Sequence, residues 1–138
     1  MAKKIDAFGQ LEYWLLDNGI LEIRTTGDKN KSKEVSLEEI VYGIEVQERL
    51  AEEKQQKIIL LAEMSSMSNL SKSAKAFLKT KEGRALNDVT LANALLVTNA
   101  FSRMLGNVLV GVVKSEYPVR IFSNREEAMK WLLSFRRS

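Results

Sequence analysis

The sequence contains neither cysteine nor histidine, and only one of its 138 residues is a proline. Without thiol and imidazole groups the chain cannot form disulfides or the usual zinc sites, and it lacks the commonest nucleophile and general base of enzymes. A chain without cysteine also suits a reducing compartment. We therefore predict no catalytic residue, no metal site and no cofactor.

Long apolar segments are absent as well. The apolar segment of residues 108–113 is far shorter than the roughly 20 residues of a membrane-spanning helix, and it contains Gly111. The lysines near the start, Lys3 and Lys4, are not followed by the apolar segment of a signal peptide. These features predict a cytoplasmic protein without a membrane span.

Apolar residues make up 45% of the chain, which is enough for one hydrophobic core, and the length is usual for one domain. We therefore predict a single domain over residues 1–138. The net charge of +3 is too small to indicate nucleic-acid binding. Acidic residues are in excess up to residue 64 and basic ones over residues 65–125, which suits either a polarised binding surface or differently charged solvated helices.

The first half of the chain has the pattern of a hairpin followed by a helix and a buried strand. Two strand-like runs, residues 11–16 and 20–26, flank Asn18 and Gly19, a pair typical of a type I′ turn. After a polar loop, Ser36 and Glu39 form a capping-box pattern that predicts a helix to about residue 55. The apolar run 57–62 then predicts a buried parallel strand.

The second half repeats the alternation of helix and strand. The patterns predict a helix from about 69 to 79, a strand over 91–98, a helix capped by Asn99, a strand over 119–122 and a last helix capped by Ser123 with Glu126. Residues 81–90 have no clear pattern. The order predicts an α/β fold with an N-terminal β-hairpin, then βα units, and a mostly parallel sheet with helices mainly on one face.

The other face of such a sheet would have little cover. Trp14 and Leu16 point to this face, and the predicted strand over residues 11–16 is apolar on both sides. An uncovered apolar face of several hundred Å² is unusual for a monomer. We therefore expect a second copy of the chain, a bound amphiphile or a chain terminus to cover it, with Trp14 and Leu16 in the interface.

Three segments and the order of elements resemble the STAS domain, and in particular its small SpoIIAA-like bacterial members, which are anti-sigma-factor antagonist-like proteins. Residues 60–78 resemble the family's strand, switch loop and helix start, and residues 94–122 resemble the following strand, helix and strand. Residues 126–135 are similar to its closing helix. The resemblance implies a STAS fold and a regulatory role in signalling.

The resemblance also bears on phosphorylation, because regulatory STAS members are phosphorylated by an anti-sigma-factor kinase at the start of the helix after the switch loop. In the matching motif Lys72 stands at the phosphoacceptor position, Ser71 replaces an aspartate and Ala74 replaces a glycine. The family's usual phosphoserine switch is therefore not expected in this chain. Ser71 and Ser73 remain the alternative acceptors.

Two groups of residues in this region are candidate sites. The candidate switch loop consists of Ser65, Ser66, Ser68, Ser71, Lys72 and Ser73. The candidate interaction patch consists of Lys72, Lys75, Lys79 and Arg84. Hydroxyls at a helix start are typical of phosphorylation or of simple capping, and the basic residues suit an acidic partner protein or a solvated helix face.

These observations together predict a non-enzymatic, STAS-like regulatory or protein-interaction module whose partner is another protein or a second copy of the chain. The alternative is a carrier or sensor of a lipid or other apolar small molecule, bound on the open sheet face. Catalysis is a third hypothesis, because Glu63 follows a buried strand but has no evident partner for general acid–base chemistry.

Overall fold

The computed structural model of the chain describes residues 2–26, 33–112 and 115–136, with the backbone alone at Lys33, Ser68 and Phe101. The strands are β1 Lys3–Phe8, β2 Leu11–Leu15, β3 Leu21–Thr25, β4 Lys33–Val35, β5 Ile58–Glu63, β6 Met67–Leu70, β7 Thr90–Leu96 and β8 Val119–Phe122. The helices are α1 Leu37–Lys54, α2 Lys72–Leu78, α3 Ala100–Val112 and α4 Arg125–Leu133, with a 3₁₀ helix over Glu82–Asp88.

Six of these strands form the main sheet, in the order β1-β2-β3-β5-β7-β8. The first three strands form an antiparallel meander, and β3, β5, β7 and β8 are parallel to one another. The strands β4 and β6 form a separate, two-stranded parallel sheet. The predicted α/β class with a mostly parallel sheet is therefore confirmed.

The hairpin between β2 and β3 has a different turn from the predicted one. The Gly19 N–H donates to the Leu16 carbonyl at 2.9 Å, and the Leu16 N–H donates to the Ile20 carbonyl at 2.9 Å. Gly19 has a φ of 85°, whereas Asn18 has a negative φ. The type I′ prediction is wrong, because that turn needs a positive φ at both central residues, and a three-residue loop ending in a left-handed glycine connects the strands instead.

Helix α1 begins at the predicted capping box. The Glu39 N–H donates to Ser36 Oγ at 3.1 Å, and the Ser36 N–H donates to Glu39 Oε1 at 2.9 Å. The second carboxylate oxygen of Glu39 accepts the Gln10 N–H at 2.8 Å. Glu39 therefore connects the turn between β1 and β2 to the start of α1, and this turn has no room for a side chain at Gly9.

The main sheet has a hydrophobic core on each face. On one face α1 packs against β2, β3 and β5 through residues that include Tyr13, Leu21 and Leu60. On the other face Ala128 and Leu132 of α4 pack against β5, β7 and β8. The face that was expected to have little cover is therefore covered by α4 over three of its six strands.

Helices α2 and α3 pack on the small sheet of β4 and β6. Leu105 of α3 and Leu78 of α2 form a third core cluster with Met67 and Leu70 of β6. At its middle α3 also approaches the main sheet, since a Cβ at Gly106 would lie 3.5 Å from the Ile121 side chain of β8. Helices α2 and α3 thus pack against the small sheet, and α3 also contacts the main sheet.

Several elements were not predicted. The strands β1, β4 and β6 occupy segments that read as polar or loop-like, and the 3₁₀ helix occupies the segment without a pattern. The predicted cap of the last helix is wrong by one residue, because Asn124 Oδ1 accepts the Glu127 N–H at 3.0 Å. No helix in the described ranges combines the length and the hydrophobicity needed to cross a membrane.

Candidate functional site

A cavity of about 340 Å³ lies between the main sheet and the three helices α1, α2 and α3. Its walls are mostly apolar and include Ile44 of α1, Leu78 of α2, Leu109 of α3 and Met67 of β6. The 3₁₀ helix and residues 115–119 also contribute to the lining. Pockets for small molecules usually measure about 300–1,000 Å³ and are lined mainly by apolar groups, so this cavity has the size and character of such a site.

The strand registers explain which residues of the sheet reach the cavity. Tyr13 pairs with Ile23, Ile23 pairs with Ala62, and Leu60 pairs with Asn93. Residues at paired positions point to the same face of a sheet, so the side chains of four neighbouring strands meet under α1. The small side chain of Ala62 leaves space at the centre of this surface.

Four polar atoms of the lining are buried without a hydrogen-bond partner in the described part of the chain. They are Tyr13 OH, Gln47 Oε1, Arg84 Nε and Asn93 Oδ1. The described residues contain seven atoms of this kind, and four of them belong to residues that line this one cavity. A buried polar atom without a partner costs about 1–3 kcal/mol, and nearly all such atoms in proteins are satisfied. Their four residues are therefore the candidate polar contacts for a ligand in this cavity.

Tyr13 and Gln47 both lie beside Gly43 of α1. Gln47 Nε2 donates to the Gly43 carbonyl at 3.2 Å, which leaves Oε1 as a free acceptor. A Cβ at Gly43 would lie 3.0 Å from Tyr13 OH, so the missing side chain makes room for the tyrosine. Burial, with the nearby Asp6 and Glu39 carboxylates, raises the pKa of Tyr13 far above its usual range. The hydroxyl is thus neutral and can donate or accept.

The two carboxylates of the lining are already engaged. Glu39 accepts the hydrogen bonds of the capping box. Glu63 Oε1 accepts from the N–H and the hydroxyl of Thr25, both at 3.3 Å, and Oε2 accepts the Ser65 N–H at 2.8 Å. Among the described residues no cluster of acidic side chains could hold a metal ion. Glu63 therefore holds the end of β5 to β3.

The serines at the start of the candidate switch loop have structural contacts. Ser65 and Ser66 are each only 1% exposed. Ser65 Oγ lies 3.3 Å from Thr25 Oγ1, and the Ser65 carbonyl accepts Asn99 Nδ2 at 2.7 Å. The Ser66 N–H donates to Thr25 Oγ1 at 3.3 Å. These contacts attach the loop to β3 and to the start of α3, and they bury both hydroxyls.

The rest of the candidate switch loop is more accessible. Ser71 caps α2, since its Oγ accepts the Ala74 N–H at 3.1 Å, and Ser73 Oγ lies 3.3 Å from Ser71 Oγ. Lys72 and Ser73 are exposed. The side chain of Ser68 lies outside the described part of the structure. Among the serines of the candidate switch loop whose side chains are described, Ser73 is the exposed one.

The candidate interaction patch is divided between two environments. Lys72 and Lys79 are exposed and Lys75 is half-buried, so the lysines lie on the solvent side of α2 and at its end. Arg84 belongs to the 3₁₀ helix and lines the cavity. The sequence spacing grouped these four residues, but in the structure Arg84 and the three lysines are in different environments.

Trp14 and Leu16 are also in different environments. Leu16 packs against the core under α4. Trp14 is half-buried, its Nε1 donates to Glu12 Oε1 at 3.0 Å, and the Arg24 guanidinium lies 4.2 Å from its ring centroid. Next to it, the buried Glu22 accepts two hydrogen bonds from Arg125 at 2.6 and 2.9 Å. This part of the sheet face is therefore a network of charged and aromatic groups.

The sequence did not single out Gln47 and Asn93 as binding residues. A signal was nevertheless present, because Gln47 lies on the buried side of α1 and Asn93 interrupts the apolar run of β7. Polar side chains inside apolar patterns are candidates for buried binding groups.

Comparison with known proteins gives one match. A family model described as "Domain of unknown function (DUF7793)" matches residues 13–136. No curated protein and no solved structure matches the chain. The matched segment includes the four unpartnered polar atoms of the cavity and all of the helices around it.

Proposed function

The chain belongs to the DUF7793 family, and we propose that it is a non-enzymatic binding module that carries or senses an apolar small molecule. The observation that carries this proposal is the apolar cavity with its four unpartnered polar atoms. The sequence placed such a ligand on the open sheet face, at Trp14 and Leu16. The cavity lies on the opposite face, under α1, α2 and α3. The face of Trp14 and Leu16 is occupied by α4 and by the hydrogen bonds between Glu22 and Arg125.

The positions of the polar atoms favour an elongated ligand. Tyr13 belongs to β2 and Asn93 to β7, which are three strands apart in the main sheet. Since neighbouring strands are about 4.8 Å apart, the two strands are separated by roughly 14 Å. A ligand that contacts both side chains would extend across the sheet. The engagement of Glu39 and Glu63 in structural hydrogen bonds supports binding over catalysis.

The proposal is tested by filling the cavity. Leu109→Trp adds a large side chain to a half-buried lining position of α3, whereas Leu133→Trp adds the same group to an exposed position of α4. We expect the uncharged dye Nile red to bind the wild type and the Leu133→Trp variant with equal affinity, and the Leu109→Trp variant at least tenfold more weakly. Circular dichroism would verify that both variants are folded. Equal binding by all three proteins would contradict the proposal.

A regulatory role, of the kind that the STAS-like pattern implies, remains a second proposal. It is favoured by the position of α2, because Lys72 and Lys79 are exposed while Leu78 between them lines the cavity. A bound ligand would then contact the helix that presents the lysines to an acidic partner protein. Affinity capture from the source cell tests it, with Lys72→Glu/Lys75→Glu/Lys79→Glu and Lys130→Glu as bait variants. Only the triple variant is expected to lose the partner.

A homodimer through Trp14 is the remaining proposal for a partner. Leu16 lies under α4, so a second copy would contact the Trp14 ring and its charged neighbours. Sedimentation equilibrium at micromolar concentration tests this, with Trp14→Lys as the variant that should dissociate the dimer. A wild type with the mass of a monomer would rule the dimer out at that concentration.

A further inference from the structure

We propose that the ligand of the cavity is a single-chain amphiphile with an anionic head group, a carboxylate, and that Arg84 binds this head group. The inference rests on the proposed function and specifies the chemistry of the ligand. It starts from the fact that Arg84 is the single basic residue in the lining formed by the described residues. Its Nε–H is buried and has no partner there.

The backbone around Arg84 holds this side chain in place. Gly83 is buried against the end of α2, so closely that a Cβ would overlap the Phe77 carbonyl. At Arg84 itself the 3₁₀ helix is broken, with φ −104° and ψ 15°. The break comes directly after the closely packed Gly83, in a segment that contacts both α1 and α2. Arg84 is thus attached to a fixed part of the wall.

No acidic residue of the lining neutralises this arginine. Glu39 and Glu63 hold other parts of the chain, and none of the ion pairs in the described residues involves Arg84. A charge next to an apolar cavity is costly without a counter-ion, and a guanidinium matches a carboxylate with two parallel hydrogen bonds. An anionic group on the ligand would supply the missing partner.

Further donors lie near Arg84. Asn87 follows it on the 3₁₀ helix, and its Oδ1 accepts the Glu116 N–H at 2.9 Å. This bond leaves the Asn87 Nδ2 hydrogens as donors, and it places Ser115 and Tyr117, two other lining residues, beside the 3₁₀ helix. A carboxylate has only acceptor atoms, so this group of donors suits it. The apolar part of the ligand would then lie against Met64, Met67 and Leu70.

The volume sets the length of the apolar part. An apolar cavity of about 150 Å³ accommodates benzene, which has six non-hydrogen atoms. In proportion, the cavity of about 340 Å³ has room for roughly 14 such atoms. A saturated carboxylate of that size has a chain of about 12 carbon atoms. Dodecanoate is therefore the probe of choice, and 1-dodecanol is its uncharged counterpart.

The experiment measures the affinities of dodecanoate and 1-dodecanol by displacement of Nile red, below the concentrations at which either forms aggregates. The proteins are the wild type, Arg84→Gln and, as a matched control, Lys81→Gln at an exposed position outside the lining. We expect the wild type and Lys81→Gln to prefer dodecanoate at least tenfold. Arg84→Gln should bind dodecanoate at least tenfold more weakly and 1-dodecanol unchanged, because a charge-assisted hydrogen bond is lost.

The outcomes separate the two proposals. Equal affinity of the wild type for both probes would overturn the anionic head group and leave the binding module intact. Retained preference for dodecanoate in a folded Arg84→Gln variant would overturn the role of Arg84. Failure of both probes and of Nile red to bind the wild type would overturn both proposals. The comparison of probes on the wild type does not depend on the stability of any variant.

Discussion

Two buried glutamates show how single residues stabilise this fold in different ways. Glu39 is 5% exposed and accepts hydrogen bonds from the backbone at Ser36 and Gln10. Glu22 is 1% exposed and accepts them from the guanidinium groups of Arg24 and Arg125. The first connects two parts of the backbone, and the second connects β3 to the start of α4 through charge.

The ionisation of Glu22 predicts how stability depends on pH. Burial alone would raise the pKa of Glu22, but the hydrogen bonds and charges of Arg125 and Arg24 outweigh it and lower the pKa below the ordinary 4.5. A carboxyl with a lower pKa in the folded state contributes stability above its unfolded pKa and loses it as pH falls through the folded value. The melting temperature of the wild type should therefore fall as the pH decreases below about 4.5.

The variant Glu22→Gln isolates this contribution. At pH 7 we expect it to lower the free energy of unfolding by about 2 kcal/mol, since hydrogen bonds to a charged group are lost. Because glutamine does not titrate, the difference from the wild type should shrink as pH falls below 4.5. Urea melts at pH 7 and pH 3 measure both effects. A difference that is the same at both pH values would contradict the explanation.

At the scale of residues, the sequence predicted capping better than it predicted binding groups. Ser36 and Glu39 have a local pattern that determines their contacts, and the predicted capping box is confirmed. Arg84 lies in the cavity wall, next to Gly83, which packs closely against the end of α2. The periodicity of the sequence does not reveal this contact between two separate elements. The spacing of basic residues therefore placed Arg84 with the exposed lysines.

Among the elements, those with a strong local pattern were predicted and those defined by pairing were not. The strands β4 and β6 are three and four residues long and pair only with each other among the described strands. Neither has the apolar alternation of a longer strand, so they read as loops. The start of α4 was ambiguous for another reason. Ser123 and Asn124 are both good caps with a glutamate three residues later, and the structure uses Asn124.

Helix α4 offers a matched test of its packing. Leu132 is fully buried against the main sheet, whereas its neighbour Leu133 is 40% exposed. Leu132→Ala should lower the free energy of unfolding by about 2–5 kcal/mol through lost burial and the cavity that remains. Leu133→Ala should change it by less than about 0.5 kcal/mol. Urea melts of the two variants decide this, and similar losses for both would show that α4 does not pack as described.

For the whole molecule, the rule for right-handed crossovers explains why α1, α2 and α3 share one face of the main sheet. This rule does not predict the cavity, because the cavity depends on how α2 and α3 pack against the small sheet of β4 and β6. Nor could it show that α4 returns to cover the opposite face. This return removes part of the premise of the predicted dimer, which was an apolar face without a helix. The dimer itself stays a prediction.

The small size of the two-stranded sheet predicts that it opens more often than the main sheet. Its two strands are three and four residues long and are separated in the chain by α1 and β5. One further hydrogen bond, from the Ser71 N–H to the Val35 carbonyl at 2.9 Å, extends their pairing. Short peripheral elements open without global unfolding, whereas central strands do not. In native-state hydrogen exchange, the paired amides of β6 should therefore exchange faster than those of β5 and β7. This faster opening would give a molecule in solution a way to enter the protein interior while the six-stranded sheet stays intact.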